Sequence, residues 1–155
     1  MAERLSTGDV QAQLAHRRTD YANGVLALFS GNQPADCNDT ETGDLLCLIT
    51  VGSGAFVAGA PGNGLNFDAP VAGVLSKAAA EVWSGVGLAA AGVGVSAGWF
   101  RFYANDYTTG ASTTAKRFDG AISTAPTAEL QLSVTTIVEG APVTINVFNF
   151  TPPRT

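Results

Sequence analysis

The segment AGWFRFY, residues 97–103, constrains the fold more than any other part of the chain, because aromatic rings occupy both its odd and its even positions. Side chains alternate between the two faces of a β-strand. One face therefore carries Trp99, Arg101 and Tyr103, and the other carries Phe100 and Phe102. A strand with rings on both faces has no solvated side. We expect it to lie centrally in a sheet, with Trp99, Phe100 and Phe102 buried.

A period of two recurs along the chain after residue 24, and clusters of turn residues interrupt it. The strands predicted by this pattern cover residues 25–29, 45–51, 65–67, 81–88, 97–103, 115–122, 130–132 and 142–151. Turn signals at a spacing of about 8–12 residues are typical of β-sandwiches and barrels. The sequence therefore predicts an all-β fold, a two-sheet antiparallel sandwich of the jelly-roll kind.

One helix precedes the strands. Ser6 followed by Asp9 has the spacing of a capping box, in which the serine accepts a hydrogen bond from a free N–H of the first turn. The Asn-Gly pair that ends at Gly24 is typical of a helix C-terminus. This pattern predicts two segments, a short N-terminal helical arm over residues 1–23 and a β-sandwich domain over residues 24–155.

The apolar face of this helix is thin. It consists of Val10, Leu14 and Tyr21, while Arg17 and Arg18 stand where the face should continue. A helix gains most of its stability by burying an apolar face. We therefore predict that these five residues contact a partner, with the apolar ones in a groove and the arginines at an acidic rim. The alternative is a helix packed on its own sheet, where Leu14 and Tyr21 cap an open end of the sandwich.

The chain is poor in charge. Hydrophobic residues make up 46% of it and charged residues 14%, whereas about 25% charged residues is usual. We expect other subunits to cover part of such a surface. The net charge is −5, and the only tight basic pairs are Arg17-Arg18 and Lys116-Arg117. Two pairs are too few to bind a phosphate backbone by counterion release, so we expect no nucleic-acid partner.

The residue types needed for catalysis or metal binding are scarce. His16 is the only histidine, which leaves a serine nucleophile without a base. Zinc requires about four nitrogen or sulfur ligands. The acidic segment 36–44 offers carboxylates for calcium, but it lacks the glycine and glutamate positions of the twelve-residue calcium loop. We predict a solvated acidic loop, no metal or cofactor, and no enzymatic activity.

Cys37 and Cys47 are the only cysteines. Their spacing permits a disulfide without establishing one. Cys47 lies in an apolar run, and a small buried hydrophobe is the ordinary role of such a cysteine. The N-terminal residues are polar and contain no signal-peptide core, and the weakly polar stretch 85–98 is too short to span a membrane. We expect a soluble protein, made in the cytosol, with two free thiols.

Six segments of the chain form an ordered set: LSTG at 5–8, GVLALFSGNQPA at 24–35, TGDLL at 42–46, GWFRFY at 98–103, IVEGAPVTI at 137–145 and FNFTP at 148–152. In this order and spacing they resemble a group of small structural proteins of tailed bacteriophages. The resemblance covers most of the chain and includes no catalytic motif.

The resemblance implies a component of the virion. The expected role is that of a capsid decoration or cement protein, which stabilises the head by bridging subunits of the major capsid protein. The implied partners are the major capsid protein and further copies of the chain, as a dimer or trimer. A tail or baseplate protein is the alternative within this class.

An alternative from another class is a carbohydrate-binding β-sandwich. Such a module would stack sugars on Trp99, Tyr103 and Tyr107, with Trp83 or Trp99 exposed in a groove. The same aromatic residues are expected in the core if the strand is covered on both faces. The exposure of the two tryptophans therefore distinguishes the two interpretations.

Overall fold

The fold is that of a computed structural model of the chain, and the structure describes residues 4–152. Its elements are α1 (Thr7–Asp20), β1 (Val25–Ser30), β2 (Leu45–Val51), β3 (Leu75–Ser76), β4 (Trp83–Val86), a short 3-10 helix (Ala89–Ala91), β5 (Val95–Tyr103), β6 (Arg117–Ser123), β7 (Leu130–Gln131), β8 (Thr136–Ile137), β9 (Pro142–Ile145) and β10 (Asn149–Phe150). Most of the predicted strands are present. The predicted strand over residues 65–67 contributes only isolated bridges, and the one over 142–151 divides into β9 and β10.

The strands form a β-rich fold, as predicted, with one large mixed sheet. Its order is β7-β6-β5-β1-β2-β4-β9, and β8 pairs with β5 beside this path. All pairs are antiparallel except β6 and β7, which run parallel. A separate two-stranded sheet joins β10 to β3. The strand pairing therefore differs from the predicted jelly-roll sandwich, which would divide the strands between two antiparallel sheets of similar size.

Strand β5 lies in the interior of the large sheet, as its two-faced aromatic pattern predicts. It pairs with β1 on one edge, where Leu26 faces Phe102, and with β6 on the other edge. Phe100 and Phe102 enter a large hydrophobic core on one side of the sheet, which we name the first core. Trp99 lies in a smaller cluster on the other side. The predicted burial of Trp99, Phe100 and Phe102 is confirmed, since each is at most 1% exposed.

Phe102 is surrounded by aromatic rings from distant parts of the chain. Its ring stacks on Phe118 at 5.3 Å between centroids and lies 6.0 Å from Trp83. Phe67 approaches it at 5.1 Å, and Tyr21 meets it edge-on at 5.8 Å. Aromatic pairs at these distances add to the stability gained from burial. Tyr21 follows the last residue of α1, so the helical segment contributes directly to the first core.

Helix α1 is not a free arm, and this prediction from its thin apolar face is wrong. Its N-terminus is capped as expected, because Ser6 Oγ accepts a hydrogen bond from Asp9 N at 3.1 Å. Val10 and Leu14 are nonetheless fully buried in the first core, and Tyr21 is 8% exposed. The apolar face of the helix has few residues, but each of them is buried in the first core.

Hydrogen bonds at the edges of α1 compensate for its narrow apolar face. Gln11 donates to Pro70 O at 3.0 Å and accepts from Gly73 N at 2.9 Å. Arg18 Nε donates to Phe67 O at 2.9 Å. The helix therefore packs on its own domain, as in the alternative interpretation, and the buried Val10, Leu14 and Tyr21 are not free to contact a partner.

The junction between α1 and β1 is tight, so residues 1–23 and 24–155 do not form separate units in the part of the chain that the structure describes. Gly24 exchanges two backbone hydrogen bonds with Leu65, at 3.1 and 2.8 Å. A Cβ atom at Gly24 would lie 2.4 Å from Tyr103 O. Glycine is therefore required at this close approach of two backbones. Residues 1–3 and 153–155 of the two predicted segments lie outside the described residues.

Both cysteines have free thiols in the structure. Cys47 is fully buried in the first core, and this burial raises the pKa of its thiol to about 12. Cys37 is half-buried, and burial with the nearby Asp119 carboxylate raises the pKa of its thiol to about 11. Because the thiolate is the reactive form, both thiols react slowly in the folded protein.

Alkylation followed by mass spectrometry checks the cysteine prediction. We expect two alkyl groups on the denatured, non-reduced protein, because both thiols are free. On the folded protein at neutral pH we expect slower modification of Cys47 than of Cys37, since Cys47 is fully buried. A mass two daltons lower with no alkylation of the denatured protein would reveal a disulfide and contradict the prediction.

Candidate functional site

The side of the sheet opposite the first core carries a second, smaller cluster of buried residues. Strand β1 contributes Val25, Ala27 and Phe29, and strand β5 contributes Trp99 and Tyr103. Phe29 stacks on Trp99 at 4.4 Å between ring centroids. We name this side of the sheet the second face. It is covered by loops instead of a second sheet, and the residues that hold those loops define the candidate site.

Arg101 is the central polar residue of the second face, and its side chain is fully buried. Its Nη2 donates to Asp119 Oδ2 at 2.8 Å, and its Nη1 donates to Glu41 Oε1 at 3.1 Å. Nη1 also donates to the backbone oxygen of Asp39 at 2.9 Å. Hydrogen bonds between a guanidinium and carboxylates are strong and directional. Arg101 therefore fastens residues 36–44, the acidic loop, to strands β5 and β6.

Arg117 holds the same loop from strand β6, and its side chain is 2% exposed. Its Nε donates to Cys37 O at 2.9 Å, and its Nη2 donates to Asn38 O at 3.0 Å. Its Nη1 donates to Gly110 O at 2.6 Å, in the loop that follows β5. One guanidinium thus joins two surface loops through their main chains. We refer to Arg101 and Arg117 together as the arginine clamp.

Glu41 is the carboxylate that faces both arginines. Its Oε1 accepts a hydrogen bond from Tyr103 Oη at 2.6 Å, and its Oε2 accepts one from Gly110 N at 2.9 Å. Burial alone would raise the pKa of Glu41, but the hydrogen bonds from Tyr103 and the backbone, together with the charge of Arg101, lower it overall. The ionised form is therefore the one that the folded structure stabilises.

The acidic loop should lose stability in acid through Glu41. A carboxyl group with a lowered native pKa contributes stability above its unfolded pKa of about 4.3, and the contribution disappears as the pH falls through the native pKa. We expect wild type to exceed Glu41→Gln in unfolding free energy at pH 6, and the difference to shrink below about pH 4. Urea denaturation across this range measures it. Asp44→Asn, at an exposed carboxyl of the same loop, serves as control, and a pH-independent difference would contradict the expectation.

The acidic loop is more ordered than the predicted solvated loop, because Glu41 and the backbone of residues 37–39 are bound by the clamp. Asp36, Asp39 and Asp44 remain exposed. A hydrogen bond links Asp36 and Asp39, in which Asp36 N donates to Asp39 Oδ2 at 3.2 Å. Among residues 4–152, no group of three or more histidine, cysteine, aspartate or glutamate side chains is arranged to hold a metal ion.

An apolar groove of about 340 Å³ lies next to the second cluster. Its lining includes Leu48, Phe56, Val86, Leu88 and Tyr107. Val86 is 45% exposed and Leu88 is 39% exposed, which is high for large apolar side chains. The groove therefore extends the apolar part of the second face to side chains that are substantially exposed.

Tyr107 forms one wall of this groove with an unusual backbone conformation. Its φ is +46°, in the left-handed region that bulky residues rarely adopt. The ring packs edge-on against Tyr103 at 5.0 Å and against Phe56 at 5.9 Å. These contacts hold Tyr107 between the second cluster and the groove, and they offset the conformational cost.

The five residues predicted as a partner interface do not lie on the second face. Val10, Leu14 and Tyr21 are in the first core. The Arg17 guanidinium lies 4.8 Å from the centroid of the Phe150 ring. Arg18 is exposed, and its Nε donates a hydrogen bond to Phe67 O. None of the five residues belongs to the second cluster or to the lining of the groove.

The sugar-stacking interpretation requires an exposed tryptophan, and the structure provides none among the described residues. Trp83 and Trp99 are both 0% exposed, and Tyr103 is 1% exposed. Trp83 Nε1 donates to Glu81 Oε2 at 2.8 Å, and Trp99 Nε1 donates to Thr42 O at 3.2 Å. Both indole donors are thus satisfied within the chain, and the two tryptophans serve packing.

The sequence contained no clear signal for the arginine clamp. Lys116-Arg117 is one of the two tight basic pairs in the sequence, but only Lys116 is exposed and Arg117 is buried. The available signal was Arg101 on a strand with rings on both faces, because a charged residue at such a position needs buried partners. Several carboxylates in residues 36–44 were the obvious candidates.

Comparisons with protein-family models, with curated protein sequences and with solved structures find no match to this chain. No α-helix within residues 4–152 has the length and apolar character needed to cross a lipid bilayer.

Proposed function

We propose that this chain is a non-catalytic structural protein of a tailed-bacteriophage virion, a capsid decoration protein that stabilises the head by bridging major capsid subunits. The observation that supports it best is the arginine clamp. Two buried arginines hold the backbone of a surface loop instead of facing a cleft. They keep the acidic loop rigid, and a rigid surface loses little conformational entropy when it binds.

The second face is the surface proposed to contact the capsid. It combines a fixed loop with an apolar groove that includes Val86 and Leu88 at substantial exposure. Apolar surface of this kind marks protein interaction sites on soluble domains. The virion class itself comes from the ordered resemblance of six sequence segments, and the second face supplies the surface that such a protein would use.

Binding to preformed heads tests the proposal. Heads would be isolated from a strain of the encoding phage that lacks this gene, then sedimented with the purified chain. We expect co-sedimentation at a fixed number of copies per head and a higher temperature of head disruption. The Leu88→Asp variant should bind more weakly, because a carboxylate replaces an apolar contact in the groove.

Two outcomes would reject the decoration role. Binding to isolated tails with no binding to heads would favour the tail or baseplate alternative. Absence of binding to either particle would reject the virion role altogether. Sedimentation of the free chain gives its oligomeric state independently, and a dimer or trimer is expected.

A further inference from the structure

Three exposed acidic residues, Asp44, Asp106 and Glu139, neighbour the segments that line the apolar groove. Asp106 precedes Tyr107 in the groove wall, and Glu139 pairs with Gly87 between the two lining residues Val86 and Leu88. Leu88 N donates to Leu46 O, two positions from Asp44. Asp44, Asp106 and Glu139 are all exposed. The lining of the groove, which we name its floor, is mostly apolar, and the three exposed carboxylates beside the lining segments are named its rim.

Among residues 4–152, no ion pair joins a lysine, arginine or histidine to Asp44, Asp106 or Glu139. The segments that line or flank the groove, residues 44–60, 82–100, 102–115 and 134–141, contain no lysine, arginine or histidine. Arg101 is buried against Glu41 and Asp119. The rim charges consequently remain available to an incoming cation, at a net chain charge of −5.

The acidic residues beside the groove determine which kinds of partner can bind there. Membrane surfaces and nucleic acids are anionic, so an acidic rim repels them. A second copy that met this surface with its own would bring the same acidic groups close together, which is unfavourable. A protein segment that carries apolar side chains flanked by lysine or arginine satisfies both the floor and the rim.

We propose that the groove binds a segment of another protein in which apolar side chains are flanked by basic residues. The groove volume of about 340 Å³ accommodates a few side chains. Thr50 and Ser53 add two hydroxyl groups to this lining, and these hydroxyls bond Gly54 O and Ser84 Oγ within the chain. The inference rests on the proposed function in taking a protein as the partner of the second face, and it adds the chemistry of the segment that is recognised.

A pair of matched peptides tests the recognition. The full-length chain, labelled with ¹⁵N, would be titrated with acetylated and amidated Lys-Val-Leu-Val-Lys and with Glu-Val-Leu-Val-Glu. We expect the lysine peptide to shift the amide signals of Val86, Leu88 and Tyr107, with an affinity at least about fivefold higher than that of the glutamate peptide. Added salt should reduce this difference, because the rim charges are exposed.

Variants locate the binding. Leu88→Asp should weaken binding of the lysine peptide at least about fivefold, and Val86→Asp provides a second variant if the first fails to fold. Val147→Asp is the matched control, because Val147 is 63% exposed and lies outside the groove. Its affinity for the lysine peptide should equal that of wild type.

Several results would overturn the inference: no shift with either peptide, equal affinity for both, or shifts confined to residues outside the groove. Concentration-dependent shifts of Val86 and Leu88 without peptide would assign the groove to a second copy instead. The peptide titration requires no phage particle. A failure to bind heads therefore rejects the proposed function and leaves the peptide result unchanged. A failure to bind the lysine peptide rejects this inference and leaves the head-binding result unchanged.

Discussion

Replacing Arg101 by methionine is expected to lower the free energy of unfolding by about 3–5 kcal/mol, because Glu41 and Asp119 then lose the buried cation that both of them contact. Methionine keeps much of the side-chain volume, so the loss reports charge and hydrogen bonds more than packing. Urea denaturation measures it. Lys116→Met is the matched control, since the Lys116 side chain is 59% exposed in its ion pair with Asp20 and such pairs are worth about 0–1 kcal/mol.

Substitutions within this cluster are expected to have non-additive effects on the free energy of unfolding. Glu41→Gln and Asp119→Asn remove the two carboxylate charges that Arg101 neutralises, so the triple variant should be more stable than the sum of the separate losses implies. A loss below about 1 kcal/mol for Arg101→Met alone would show that the clamp is not a buried charge network. Exposure of the acidic loop to limited proteolysis should rise in parallel with the loss.

Leu14→Ala is expected to cost about 2–5 kcal/mol, because Leu14 is fully buried in the first core. The result separates a helix packed on its own domain from a free arm, for which the change would be near zero. Leu5→Ala is the matched control, since Leu5 precedes the helix and is 42% exposed, and it should stay within about 0.5 kcal/mol of wild type.

Deletion of residues 1–20 extends this prediction. The deletion removes Val10 and Leu14 and uncovers Tyr21 and the ring of Phe102. We expect the truncated chain to melt at a much lower temperature or to remain unfolded, as measured by circular dichroism. A melting temperature equal to that of the full chain would restore the interpretation of the helix as an arm.

Local patterns predicted the parts of the fold that depend on neighbouring residues. The two-faced aromatic pattern placed β5 in the sheet interior, and Ser6 with Asp9 marked the start of α1. The parallel pairing of β6 with β7 and the small sheet of β10 with β3 join residues with no shared pattern. Short strands of two residues carry too little periodicity to predict their partners.

The helix and the clamp show why the site could not be predicted. The apolar content of α1 suggested weak packing, but burial depends on how completely each side chain is enclosed, and Leu14 is enclosed by residues remote in sequence. Arg117 resembles an exposed basic residue in sequence, and its buried bonds are mostly to backbone oxygens. Every residue type has the same backbone oxygen, so no sequence motif predicts a hydrogen bond to it.

The position of β1 between β2 and β5 has a consequence for synthesis of the chain. β1 is buried almost throughout, and its partner β5 lies far downstream. About 65 residues follow Ser30 before β5 begins, which takes roughly 3–13 seconds at about 5–20 residues per second. During that interval one edge and much of the apolar surface of β1 have no native partner. The nascent chain is therefore most vulnerable to aggregation before β5 leaves the ribosome, and slowing translation between the two strands should lower the yield of folded protein.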